Sequence, residues 1–112
     1  MLEEKGEDIL FIDVREPEEY VNGHIPGVPL VPMGHIPHAC ESMDKKAEYV
    51  FICQGGIRSF HVAKYMQQCG FENVHNFAGG MQVWDGEIAY GLENVPASYD
   101  PASLKRKADR TK

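Results

Sequence analysis

The reactive groups of this chain converge on Cys53-Gln54-Gly55-Gly56-Ile57-Arg58-Ser59. An apolar run ends in the cysteine, and two glycines then let the backbone curl so that its N–H groups point inward. That arrangement cradles an anion. A helix opening at about Arg58 or Ser59 aims the positive end of its dipole at the same point. A thiolate held there is stabilised below the free-thiol pKa of about 8.5, and an anionic substrate is drawn against it. Arg58, with four residues between it and Cys53, adds a guanidinium to the cradle. The expected chemistry is nucleophilic attack by Cys53, with Gln54, Gly55, Gly56, Ile57, Arg58 and Ser59 as the substrate-binding loop.

The remaining chemical groups read as structural. Cys69 closes an amphipathic helix, and Cys40 lies in a loop where an inert thiol is expected over a resolving one. Three cysteines with no CxxC pair form neither a disulfide framework nor a zinc knuckle. His24, His35, His38, His61 and His75 lack cysteine or carboxylate neighbours at ligand spacing, so no metal is expected. His61 falls on a helix face turned away from the loop. Asp13 and Arg15, with Glu18 or Glu19, form an ionic cluster whose expected role is architectural. Trp84 is expected to anchor the core.

The elements that position the loop follow from hydrophobic patterning. Ile9-Leu10-Phe11-Ile12-Asp13-Val14 and Tyr49-Val50-Phe51-Ile52-Cys53 are nearly continuous apolar runs, as in parallel strands covered on both faces. Pro17 opens a short helix that stops at Asn22-Gly23. Between Gly23 and Pro37, repeated glycine and proline leave room only for a short strand around Val28 to Val31. Glu41 to Glu48 contains a helical turn. Phe60 to Gln68 has apolar residues at helical spacing, with Gly70 just past its end. A third strand is centred on Val74 to Phe77, and Ala78-Gly79-Gly80 turns into a short helix carrying Met81 and Trp84. Strands alternating with helices predict an α/β domain with a mostly parallel sheet and helices on both faces. Ligands of such sheets sit beyond the carboxyl ends of the strands, where Asp13, Cys53 and the Ala78-Gly79-Gly80 turn all map.

Composition limits the possible functions. The 112 residues suit one domain, assigned here to 1–95, with a polar, basic tail over 96–112. No apolar run is long enough to cross a bilayer, and the start lacks the features of a signal peptide, so no membrane association and a cytoplasmic location are expected. Residues 1–99 carry six Lys or Arg against fifteen Asp or Glu, giving −9, whereas 100–112 carry five against two, giving +3. An acidic body of this kind is not a nucleic-acid binder.

Four motifs give the chain a resemblance to the rhodanese-like, or sulfurtransferase, domain family. They are Ile12-Asp13-Val14-Arg15-Glu16-Pro17-Glu18-Glu19-Tyr20, Gly23-His24-Ile25-Pro26-Gly27, Cys53 to Ser59, and Ala78-Gly79-Gly80-Met81-Gln82-Val83-Trp84. The resemblance covers about residues 9–90. It implies a central, mostly parallel sheet of four or five strands and a persulfide carried on Cys53. It further implies ping-pong transfer of sulfur from a small anionic donor such as thiosulfate to cyanide, a thiol or a protein cysteine, with no cofactor. Cysteine phosphatases and arsenate reductases of related fold have a loop one residue longer, suited to a tetrahedral oxyanion, so the loop here favours sulfur. A noncatalytic binding or regulatory module, docking a partner through the basic tail, is the alternative. Family domains usually begin with a further strand, for which the eight residues before Ile9 leave little room. An open edge beside residues 73–77 is therefore expected, to be covered by a second copy in a homodimer, by residues 92–104, or by a neighbouring domain.

Overall fold

The computed structural model describes residues 9–92. Strand β1, Ile9–Asp13, leads to helix α1, Pro17–Val21, and a long connection ends in a 3₁₀ turn, Met33–His35, and helix α2, Ile36–Ala39. Strand β2, Glu48–Ile52, helix α3, Ile57–Gln68, strand β3, Val74–Asn76, and a second 3₁₀ turn, Gly80–Val83, complete the described chain. The sheet order is β1-β2-β3, parallel throughout, with Asp13 beside Ile52 and Phe51 beside Asn76.

Both faces of this sheet are apolar, which explains the unbroken hydrophobic strands. Leu10, Ile12, Tyr49, Phe51 and Val74 face one layer, where Ile36 and Ala39 of α2 and Val62, Ala63 and Met66 of α3 pack. Phe11 and Ile52 face the other, covered by Ile25 and Val28, with Met81 and Trp84 at its margin. Among the described residues, therefore, α2 and α3 cover one face, while loop and 3₁₀ residues cover the second where helices were expected.

The strand count also departs from expectation. Three strands are found among the described residues, against four or five. The segment around Val28 to Val31 forms a single parallel bridge, Leu30 beside Asp13, held by Asp13 N–H to Pro29 O and Val31 N–H to Asp13 O, each 2.9 Å. Pro29 and Pro32 have no N–H to extend the ladder, so it ends after one step. A second correction concerns the end of the stretch expected to be mostly loop, where the 3₁₀ turn Met33–His35 leads into α2 across Pro37. Pro37 occupies the first turn of α2, where a missing N–H costs no helical bond. The 41–48 segment contains turns but no helix.

β3 has no strand partner on its outer side among the described residues. The residues before Ile9, where the family's further strand is expected to be shortened or absent, nearly all of the 92–104 segment and the 96–112 tail lie outside the described residues. No helix among the described residues is long and apolar enough to cross a membrane.

Candidate active site

The loop after β2 wraps its donors around one sulfur. Gly56 N–H points at Cys53 Sγ from 3.0 Å, Ser59 N–H from 3.3 Å, and the Ser59 hydroxyl from 3.3 Å. Cys53 is only 1% exposed. Burial by itself pushes the thiol pKa up, but the Ser59 hydroxyl and the N–H groups of Ser59, Gly56 and Gly55 outweigh it, and the net shift is downward. Helix α3 begins at Ile57, one residue before the expected start, so its first turn faces the sulfur.

The second 3₁₀ turn keeps the loop in this shape. Met81 N–H donates to Cys53 O at 2.9 Å and Gln82 N–H to Gln54 O at 3.1 Å, drawing the carbonyls outward and leaving the N–H side inward. The close approach requires glycine. A Cβ on Gly80 would lie 2.1 Å from Cys53 O, and Gly80 has φ +57°. At Gly56, with φ +94°, a Cβ would come within 2.8 Å of Gly79 N.

The charged residues are arranged as two pairs. Arg15 and Asp13, 3% and 1% exposed, are joined by Nη2 to Oδ2 at 2.9 Å and Nε to Oδ1 at 3.0 Å. The same guanidinium donates to Gly23 O at 2.7 Å and to Gln54 Oε1 at 3.2 Å, tying the buried pair to the loop. Glu18 is exposed, and Glu19 feels the Arg15 charge without taking Asp13's place as its hydrogen-bond partner. Instead, both Glu19 oxygens accept from Arg58 at 2.8 Å, and Glu19 Oε1 also accepts the Glu16 N–H at 2.9 Å. Hydrogen bonding by Arg58 holds the Glu19 carboxyl down at about 2, against a usual value of 4.5. Arg58 therefore borders the loop as half of an ion pair.

Of the residues expected at the site, Cys53, Gly55, Gly56 and Ser59 converge on the sulfur, and Gln54 turns aside to Arg15. Ile57 projects into solvent at 70% exposure. Asn76, at the end of β3, was not anticipated: its Oδ1 accepts a hydrogen bond from the Ser59 hydroxyl. Its place on a strand adjoining β2 is the only sequence signal it carries. An open cavity of about 470 Å³ lies beside the loop, lined by Arg15, Glu19, Gln54, Met81 and Tyr90 among others.

The other marked residues take structural places. Cys40 is buried and donates to Pro37 O, and burial together with the neighbouring Cys69 thiol pushes its pKa up. His24 is buried, stacked on Tyr20 at 3.7 Å, with Nδ1 2.8 Å from Tyr20 O. His61 is exposed against Phe60, and His75 pairs with Glu48 at 2.8 Å. Trp84 packs edge-on to Phe77 and donates to Glu87 O at 2.9 Å.

Fold and site together define a parallel α/β domain with a thiol at a strand end inside a loop of N–H donors. The chain belongs to the rhodanese-like domain family, whose model matches residues 1–87. It is 49% identical over 84 residues to a Bacillus subtilis protein named "Putative sulfurtransferase YtwF", covering 75% of this chain and 81% of that one. It is 30% identical over 87 residues to the thiosulfate sulfurtransferase GlpE of Pseudoalteromonas translucida, covering 78% and 83%. A rhodanese-like domain protein from Staphylococcus aureus superposes with a TM-score of 0.68 at 36% identity, covering 74% and 81%.

Proposed function

We propose that this chain is a sulfurtransferase that carries sulfur as a persulfide on Cys53, taking it from thiosulfate or a similar anionic donor. The observation that carries this reading is the convergence of the Gly56 and Ser59 N–H groups and the Ser59 hydroxyl on a sulfur whose pKa is lowered. In the first half-reaction the Cys53 thiolate attacks the outer sulfur of thiosulfate. A Cys53–sulfur bond forms, the donor S–S bond breaks, and its electron pair leaves with sulfite. The negative charge moves from Sγ to the new outer sulfur, where inward N–H groups and the α3 terminus stabilise it. In the second, a cyanide or thiolate lone pair attacks that outer sulfur, and the electrons of the broken bond return to Cys53. Gln54 to Ser59 form the binding loop, and the cavity beside Gln54 and Arg15 supplies the approach. Named relatives support the class of reaction, with GlpE named for thiosulfate.

Incubation with thiosulfate followed by intact mass measurement tests the proposal. The expected product carries one additional sulfur atom, is restored by cyanide, and does not form in Cys53→Ser. Absence of an adduct with thiosulfate and with organic polysulfides would replace this reading with the noncatalytic module.

A further inference from the structure

The Ser59 hydroxyl has one proton and faces two acceptors, Cys53 Sγ at 3.3 Å and Asn76 Oδ1. Ser59 is fully buried, so water does not supply a third partner. Asn76 is half-buried at the end of β3, in register with Phe51, two residues before Cys53. We propose that Asn76 is a positioning residue for Cys53, its amide oxygen competing with the sulfur for the Ser59 proton.

The competition discriminates between states of the sulfur. When Sγ is a thiolate it is the stronger acceptor, and the hydroxyl turns to it. When Sγ is a neutral thiol, the hydroxyl donates to Asn76 instead and remains paired, as a buried hydroxyl must. The same holds, if Cys53 carries a persulfide as proposed above, once the charge has moved to the outer sulfur. Asn76 thus favours the thiol and the loaded form over the bare thiolate.

Other charges around Cys53 are already engaged. Arg58 on α3 is paired with Glu19 of α1, Asp13 at the end of β1 is paired with Arg15, and His75 of β3 is paired with Glu48. The 3₁₀ turn Gly80–Val83 contributes no titratable side chain. Replacing Asn76 by leucine therefore changes the Ser59 partner without changing those pairs.

The test is the pH dependence of Cys53 alkylation by iodoacetamide in the full chain, followed by peptide mass. Asn76→Leu removes the competing acceptor and should lower the midpoint by roughly 0.5 to 1 pH unit, as expected for one neutral hydrogen bond. Asn76→Asp, a stronger acceptor, should raise it. The leucine shift should vanish when Ser59 is also alanine, because the effect passes through the hydroxyl. An unmoved or raised midpoint in Asn76→Leu, or an equal shift without the Ser59 hydroxyl, would overturn the proposal. Should circular dichroism show Asn76→Leu misfolded, the aspartate variant decides: a rise that is larger with the Ser59 hydroxyl than in a Ser59→Ala background supports it, and an equal rise in both backgrounds, or none, refutes it. Alkylation needs no sulfur donor, so this result stands apart from that of the persulfide experiment.

Discussion

Glu19 engages Arg58 with both carboxylate oxygens at 2.8 Å, and the consequences separate into a stability effect and a binding effect. The folded-state pKa of Glu19 is depressed to about 2 from 4.5, so its stabilisation is fully present above pH 4.5 and is lost as pH falls towards 2. Both partners are 34% exposed, and solvent screening limits the pair to about 1 kcal/mol at most. Glu19→Gln should therefore lower the melting temperature at pH 7 by a few degrees. The gap from wild type should close between pH 4.5 and 2, as followed by circular dichroism. The same substitution removes a negative charge from beside the loop and releases Arg58. Steady-state assays should then show a lower KM for thiosulfate, whereas an unchanged KM would mean that Arg58 does not face the donor.

At the level of elements, the site is a contact between two turns, each dependent on glycine. The loop after β2 presents N–H groups inward only because the turn after β3 takes its carbonyls, and Gly80 is the point of closest approach. Gly80→Ala places a Cβ 2.1 Å from Cys53 O at a positive φ, so the two turns must separate. Urea unfolding should show a loss of about 2–4 kcal/mol. Gly34→Ala is the control, since no atom lies within 4 Å of a Cβ there, and it should change stability by less than about 1 kcal/mol. Equal losses in both variants would refute the role given to the turn contact. These elements differed in how plainly the sequence announced them. β1 and β2 were legible because burial on both faces leaves an unbroken apolar run, and α3 because its apolar face repeats with helical spacing. Helix α2 was hidden because Pro37 reads as a breaker unless its place in the first turn is known. The Val28–Val31 strand was overestimated because side-chain pattern says nothing about the N–H groups that Pro29 and Pro32 lack.

For the molecule as a whole, local composition was legible and distant pairing was not. The loop of Cys53 to Ser59 could be read as an anion cradle from seven consecutive residues. The partners that adjust it come from far along the chain: Glu19 and Gln54 each bond an arginine 39 residues away, and Asn76 bonds a serine 17 residues away. No periodicity encodes such contacts, since they depend on where β1, β2 and β3 bring their carboxyl ends together. Net charge, in contrast, is fully legible and acts at long range. The chain carries −6, and both arginines beside the loop are paired, Arg58 with Glu19 and Arg15 with Asp13, so an approaching dianion meets repulsion until it reaches the loop N–H groups. Raising ionic strength shortens the Debye length from about 30 Å at 0.01 M to about 8 Å at 0.15 M. That screens the distant charges while leaving the short-range cradle in place. The value of kcat/KM for thiosulfate should accordingly rise, by roughly two- to threefold, over that range in a salt of weakly binding ions. The rate with a neutral organic polysulfide should stay nearly constant. A fall in the thiosulfate value would mean that local positive charge at the loop governs encounter, with Arg58 freed from Glu19 before the donor arrives.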